Sequence, residues 1–543
     1  MARDHQHISQ QMEITRPMRL VHHCLIEAGR RFPEKTAIVC DDRKLSYGEF
    51  LRRVSALSTM LREAGLNRGD RALILLGDKV NFLVASYAVI ARGAIAVPVI
   101  EGSAPVTIEQ IAGDCTPHVL ITSPRDLVDS PLLRHRLSCT FCFVEDSLTG
   151  AAKRGFSKVI VFDKETKHEG IGFQDPADFG EDNGALIFYT SGAAGKKEGV
   201  LLSHRNLIQA ALNINEFMGI DSDICEFVAS SLAHSPGFAR SLCVFFVGGT
   251  VVVNNGSLNP MSLVQSVLRD KCDAISSVTS GFAMFFGRLE SILQSIGHQI
   301  KYIELGSAPM PLDHQIKLLE IFPKARICMH YGLAEASHST FIDLRKEQRK
   351  LHTAGRPSPN VAISISDDQG QRLGEMQLGE ILVRGAHVAV GYWRNDEAHM
   401  QRFTSDNWFK TGDYGFIDGE GYLHLLGRKD EMISMSGLKI SPLEVEERIR
   451  EAYPNCEICV VGVPDPEGIL GEIPVLCYAA KDGKTISPSG LSQVLSTRLD
   501  GNKIPRVVYR VESLPRTENA RMLRSELRKK IIAGNVHKME HVG

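Results

Sequence analysis

GALIFYTSGAAGKKEGVLLSHRNL, residues 184–207, is the stretch from which the rest of the chain is read. Its apolar run predicts a strand ending at Tyr189, and a helix is expected after His204. Between them stand Thr190, Ser191, Gly192, Gly195 and Gly199. Glycines free a backbone to fold around a ligand, and the hydroxyls add donors. Successive amides in such a loop form a nest that holds phosphate. No Gly-Lys-Ser/Thr follows, so this is not a Walker A loop. By spacing alone the stretch also fits a Gly/Ser-rich surface turn, and the choice rests on the motifs around it.

Outward from this loop, strand-like apolar runs alternate with amphipathic helical runs up to about residue 430. LSYGEFLRRVSALSTMLREAG opens on a cap signal at Ser46. Glu49 stands three residues on, as in a capping box, and Gly65 ends the helix. RALILL follows as a buried strand, then a helix from about Asn81 to Arg92, then AIAVPV as a strand. Strand–helix–strand order predicts parallel sheet covered by helices. Residues 355–427 are rich in Gly- and Asp-turns and predict hairpins. The remainder reads as helix, strand, strand, helix and a final basic helix over 522–532, a small α+β unit. The expected fold is therefore α/β: a large domain over 1–429 with parallel-rich sheets and a hairpin-rich subdomain, followed by a small, mobile α+β domain over 430–543.

Composition limits the function. The 543 residues are too many for one core, and 43% hydrophobic with 23% charged residues is ordinary for a soluble enzyme. A formal charge of −2 supplies no global field for nucleic acid or an acidic membrane. The N-terminus lacks the apolar core of a signal peptide. The most apolar stretch, 242–253, is broken by Gly248 and Gly249 and is too short to span a bilayer. It reads as a buried strand–turn–strand, and a cytoplasmic location is expected. Of the twelve cysteines, Cys139/Cys142 and Cys456/Cys459 have CxxC spacing. Both pairs fall on strand-like runs without a turn, where residues three apart face opposite sides, so buried reduced thiols are expected.

The chain then carries, in order, SLAHSPG (231–237), GSAP (306–309), YGLAE (331–335), GEILVRG (379–385), KTGD (410–413), GRKDEMISMSGLKISPLEVEE (427–447) and PRTENARMLR (515–524). This series resembles the adenylate-forming superfamily of acyl-CoA synthetases, luciferases and nonribosomal-peptide adenylation domains. The resemblance runs from about Ala28 to Arg528. It implies an enzyme that uses ATP to activate a small-molecule carboxylic acid as acyl-AMP with release of pyrophosphate. The acyl group then passes to a thiol, CoA in the first instance.

The resemblance also implies roles. Thr190, Ser191 and Gly192 would hold the β- and γ-phosphates. Glu335 resembles the magnesium ligand, since a hard cation takes a carboxylate beside phosphate oxygens. Asp413 resembles the ribose anchor and Arg428 a second ribose or phosphate contact. Gly306, Ser307, Ala308 and Pro309 fit the edge on which adenine lies, with His330, Tyr331 and Gly332 beside it. His234 matches a histidine beside the acid pocket. SLAHSPGFARS offers no Asp for an α-ammonium group, which argues against an amino acid substrate. Asp430 matches the hinge about which the small domain turns, and Gly437 and Lys439 the loop on the acceptor side.

Three departures from the family pattern stand out. TSGTTGxPKG is here TSGAAGKKEG, with Ala193 and Ala194 lacking hydroxyls and Glu198 where Lys is usual. YGxTE is YGLAE, so Ala334 lacks the hydroxyl that meets the α-phosphate. PRTxxGK is PRTENAR, which places Arg521 where a lysine bridges carboxylate and α-phosphate. A guanidinium keeps the charge but is a planar fork rather than a point charge. These changes admit a carrier-protein or amine acceptor, an oxyacid such as nitrous acid, or a nucleotide-binding relative without catalysis.

Overall fold

The computed structural model describes residues 18–123, 141–144, 158–161, 179–191, 197–255, 260–283, 285–286, 289–306, 308–436, 438–454, 456–480, 486–516, 522–534 and 539–541. Parallel sheet, expected from the strand–helix alternation, forms twice. The first sheet runs Lys158–Val161, Phe141–Val144, Val119–Thr122, Arg71–Leu75, Ile95–Pro98, Gly184–Ser191 (β1), Lys197–Ser203 (β2) and Gly391–Tyr392. Its first six strands are parallel. Arg71–Leu75 and Ile95–Pro98 are buried at every residue, which is why both read as unbroken apolar runs. β2 was not expected: it returns antiparallel to β1, pairing Thr190 with Glu198 and Ser191 with Lys197. β2 ends at Ser203, the side-chain cap of the helix His204–Met218.

The run 242–253 corrects the sequence reading. A helix, Ser235–Val247 (α1), occupies its first half, Gly248 closes the helix at φ +79°, and the strand Thr250–Val253 follows. Ten α1 residues are buried, so the helix is enclosed on nearly every side. A helix buried all round shows no amphipathic period, and a short apolar run then imitates a strand.

The second sheet runs Arg43–Ser46, Thr36–Cys40, Thr250–Val253, Cys225–Val228, Ala274–Val278, Tyr302–Gly306 (β3), Arg326–Tyr331 (β4), Thr340–Asp343 and Arg356–Pro357. It is parallel from Thr36–Cys40 to β4. Phe227, Ile275, Ile303, Leu305 and Ile327 point to one face, against Leu263, Val267 and Leu318 of two covering helices. Val228, Ala274 and Cys328 point to the other, into the core that holds α1. Phe238 belongs to this core and stacks on Tyr87.

The hairpin-rich region is a five-stranded antiparallel sheet: Arg372–Leu373, Val361–Ser366, Gly379–Gly385, Phe409–Ile417 (β5) and Leu423–Arg428 (β6). Beyond it, the hairpin Ile433–Met435/Leu438–Ile440 leads to the helix Pro442–Ala452 and a four-stranded sheet. That sheet pairs Cys456–Pro464 with Glu472–Ala480 and adds Val507–Val511, a strand the sequence reading did not include. Cys456 and Cys459 enter two different cores, one on each face, so the strand argument against chelation holds. Cys139 lies outside the described residues.

Ser46 caps its helix as expected, accepting from the Glu49 amide at 3.2 Å. The Glu49 carboxylate instead pairs with Arg53 at 2.7 Å. Among the described residues, no helix is long and apolar enough to cross a membrane.

Candidate active site

Three sheet strands meet at one carboxylate. Asp413 on β5 pairs across the ladder with Arg428 at the end of β6, and Arg428 Nη1 donates to Asp413 Oδ1 at 3.1 Å and to the Thr411 carbonyl at 3.0 Å. Tyr331, the last residue of β4, donates its hydroxyl to Asp413 Oδ2 at 2.8 Å. Residues separated by up to 97 positions in the chain therefore converge, and Asp413 is 7% exposed. Gly412 makes the approach possible: it sits at φ +71°, and a Cβ there would come 2.8 Å from the Arg428 guanidinium. Burial and the Asp413 carboxylate together push the Tyr331 phenol well above its usual range. Arg428 is held fully charged: burial opposes the charge, but Asp413 outweighs it. The result is an oriented anion whose oxygens keep lone pairs for further donors.

Glu335 lies four residues past Tyr331, half-buried. Tyr392 donates its hydroxyl to Glu335 Oε1 at 2.7 Å, and the Ala389 amide donates to the Glu335 carbonyl at 2.7 Å. Tyr392 in turn pairs with Val200 on β2, the strand opposite Thr190. Glu335 is thus tied to β2 through one tyrosine. Burial, and then the neighbouring carboxylate, raise that phenol's pKa. No motif pointed to Tyr392; its only trace in the sequence is the aromatic pair after Gly391. Glu380, which accepts from the Gly412 amide at 3.2 Å and from Lys429 at 3.0 Å, was likewise missed.

Gly306 ends β3 beside β4, where a Cβ would collide with the His330 ring. Ala308 and Pro309 are exposed just beyond, and Gly332 is half-buried in the turn after Tyr331. His330, grouped above with the nucleotide set, faces the opposite side of β4 from Tyr331, toward Glu304 and His338. His234 is the N-cap residue of α1 and half-buried. Asp430 is exposed, 3.7 Å from Arg428 Nε. Lys439 donates to Ser434 Oγ at 2.7 Å. Thr190 is half-buried on β1 and Ser191 pairs through its backbone. Gly192, Ser307, Gly437 and Arg521 lie outside the described residues.

Residues 25–393 match the AMP-binding enzyme family, and residues 444–521 match the AMP-binding enzyme C-terminal domain. The chain belongs to the AMP-binding enzyme family. Among similar proteins, a feruloyl-CoA synthase from Amycolatopsis sp is 27% identical over 93% of this chain and 98% of its own. A 2-succinylbenzoate–CoA ligase from Enterococcus faecalis is 31% identical over 64% of this chain and 70% of its own. Among solved structures, the o-succinylbenzoate CoA synthetase from Bacillus subtilis, in complex with its acyl-adenylate intermediate, superposes with a TM-score of 0.75. It is 25% identical, over 93% of this chain and 97% of its own. As an AMP-binding enzyme, the chain has the expected sheets, and its Tyr331–Asp413–Arg428 cluster lies where β4, β5 and β6 meet.

Proposed function

We propose that this AMP-binding enzyme is an acid–CoA ligase, and that the Tyr331–Asp413–Arg428 constellation is its nucleotide anchor. That constellation carries the reading, because a buried carboxylate held by two side-chain donors suits the two hydroxyls of a ribose. The names of the relatives, a feruloyl-CoA and a 2-succinylbenzoate–CoA enzyme, support CoA as the acceptor. The acid carboxylate attacks the α-phosphorus of ATP, giving acyl-AMP and pyrophosphate. The thiol of CoA then attacks the acyl carbon and AMP leaves.

Each residue has a part in this reading. Thr190, Ser191 and Gly192 hold the β- and γ-phosphates. Arg521 stabilises charge on the α-phosphate, and His234 borders the acid. Gly306 to Pro309 form the adenine edge. Glu335 fits a magnesium ion that accompanies ATP: it is a carboxylate oriented by Tyr392, and phosphate oxygens would supply other ligands. A bound magnesium ion would neutralise phosphate charge, and the chain's own work is positioning. Residues 1–429 form the nucleotide-binding part. Residues 430–543 turn about the exposed Asp430 between the two half-reactions, bringing Gly437 and Lys439 to the acceptor side. The ten free cysteines among the described residues, nine of them buried, suit a reducing cytoplasm.

The test is acid-dependent exchange of pyrophosphate into ATP across a panel of carboxylic acids, followed by mass spectrometry of the product with CoA, a carrier protein and amines offered separately. Exchange and a CoA thioester are expected. Silence with every acid would remove the reading, and an amide or carrier-bound product would replace CoA.

A further inference from the structure

The buried carboxylate of Glu304 draws two histidines to itself. Glu304 stands on β3, level with Cys328 on β4, so His330, two residues further on, faces the same side. His338 comes from the other leg of the turn that carries Glu335, whose flanking strands pair Tyr331 with Thr340. His338 Nε2 lies 3.0 Å from Glu304 Oε1, and His330 Nδ1 contacts the same oxygen. The two imidazole centroids are 3.7 Å apart, with the rings tilted by 35°. One ligand atom from each of the three residues lies within 4.8 Å of the other two. The side chains of Glu304, His330 and His338 are 4%, 7% and 1% exposed.

Hydrogen bonding alone does not account for this convergence. His330 Nδ1 touches Glu304, yet it has no hydrogen-bond partner among the described residues. A buried nitrogen left in that state calls for a further group. Arg240 of α1 is not that group. Its Nε and Nη2 donate to the two Glu226 oxygens at 3.0 and 2.5 Å, and its Nε stays 4.0 Å from Glu304. Glu226 matches the guanidinium charge, and the charge of Glu304 is left to be met on the imidazole side.

The surrounding chain supports the same arrangement. His338 sits at φ +56°, a left-handed conformation uncommon for a residue with a side chain. Such strain persists where the surroundings fix it, and it collects at functional sites. Gly306 leaves room for the His330 ring, which a Cβ there would overlap. Ser337 Oγ stands 2.6 Å from His338 Nδ1. With Nδ1–H donating to that hydroxyl, Nε2 carries the lone pair on the Glu304 side, as behind most metal-bound imidazoles.

Two imidazoles and a carboxylate form a donor set for zinc and its transition-metal neighbours, whereas magnesium and calcium take oxygen ligands. Zinc bonds of about 2.0–2.2 Å hold adjacent donors roughly 3.3 Å apart. The His338–Glu304 separation of 3.0 Å is close to that spacing. An ion therefore sits between the donors after a small turn of the His330 ring and needs no preformed cavity. Folding brings the three ligands together, so the ion is taken up as the chain folds.

We propose that Glu304, His330 and His338 bind a divalent ion of the zinc class, separate from the Glu335 magnesium position, which ties both legs of the Glu335 turn to β3. Water takes the fourth position. The experiment uses the full-length chain, produced with zinc in the medium and purified without chelator. Elemental analysis should find about one zinc ion per chain. After stripping with phenanthroline, cobalt(II) should reload the site and give the visible absorption of a four-coordinate nitrogen–oxygen centre, and zinc should restore the thermal midpoint that stripping lowers. Glu304→Gln, His330→Ala and His338→Ala should each lose the ion and the absorption. Ser337→Ala leaves the three donors in place and should weaken cobalt binding about 10-fold. His387→Ala, at a buried histidine outside the donor set, should keep both ion and absorption. A stripped, unaltered chain that takes up no cobalt overturns the inference, whichever variants fold. So does an ion that all three ligand variants retain. Metal content and absorption are read without turnover, so they stand or fall apart from the ligase reading.

Discussion

Asp413→Asn should weaken ATP use far more than it weakens the fold. The carboxylate accepts from Tyr331 at 2.8 Å and from Arg428 at 3.1 Å, and in the proposed complex it accepts from the ribose as well. An amide keeps one acceptor oxygen and turns the other into a donor, which meets either a ribose hydroxyl or the Arg428 guanidinium. One charge-assisted hydrogen bond is then lost, worth about 1.5–3 kcal/mol, or roughly a 10- to 150-fold rise in KM for ATP. The stability cost is smaller. Arg428 is 22% exposed at its side chain and keeps the Thr411 carbonyl at 3.0 Å, so the penalty falls below that of breaking a fully buried pair, to about 1 kcal/mol. The assay is pyrophosphate exchange with ATP and with its deoxyribose analogues, alongside urea unfolding. The unaltered enzyme should discriminate against the deoxy nucleotides, and the variant should discriminate much less. An unchanged KM, or an unaltered enzyme indifferent to the ribose hydroxyls, would refute the anchor.

Tyr392→Phe removes the hydroxyl that orients Glu335, so the magnesium concentration for half-maximal exchange should rise a few-fold at nearly unchanged ATP saturation; a magnesium curve that does not move would disconnect the two residues. Arg521→Ala should lower adenylation by roughly 100-fold, the scale of losing about 3 kcal/mol of transition-state stabilisation, and Arg521→Lys should recover most of it; equal turnover in all three proteins would show that the residue does no chemistry. Burial holds His338 and His387 at about 4, below the ordinary 6.5. Because the unfolded histidines take up protons first, their contribution is complete above about pH 6.5 and lost as pH falls toward 4, by up to roughly 3 kcal/mol each. The urea midpoint should therefore fall over that window and flatten in His387→Asn, and a midpoint level from pH 6.5 to 4.5 would contradict it.

Much of the fold was legible because its signals are local. Ser46 announced a cap, unbroken apolar runs announced the buried strands at 71–75 and 95–98, and Gly and Asp turns announced the antiparallel sheet. Two readings failed where the local signal was ambiguous. Residues 242–247 are helical because α1 is buried on nearly all sides and so shows no period. Residues 197–203 form a strand the sequence did not announce because β2 finds a partner in β1, and pairing between strands leaves little mark on either one alone.

The sequence by itself determined the chemistry available: the order of the motifs, the anion at Asp413, the cation at Arg428, and the guanidinium at 521 in place of an ammonium. Only the tertiary structure decided which groups meet. It closed Tyr331 and Arg428 on one carboxylate, tied Glu335 to β2 through Tyr392, and turned His330 away from Tyr331 toward Glu304. The physical reason is range. Residue type, caps and turns act over a few positions, whereas these contacts join strands and helices from distant parts of the chain, and their partners are chosen by how sheets stack and cores fill.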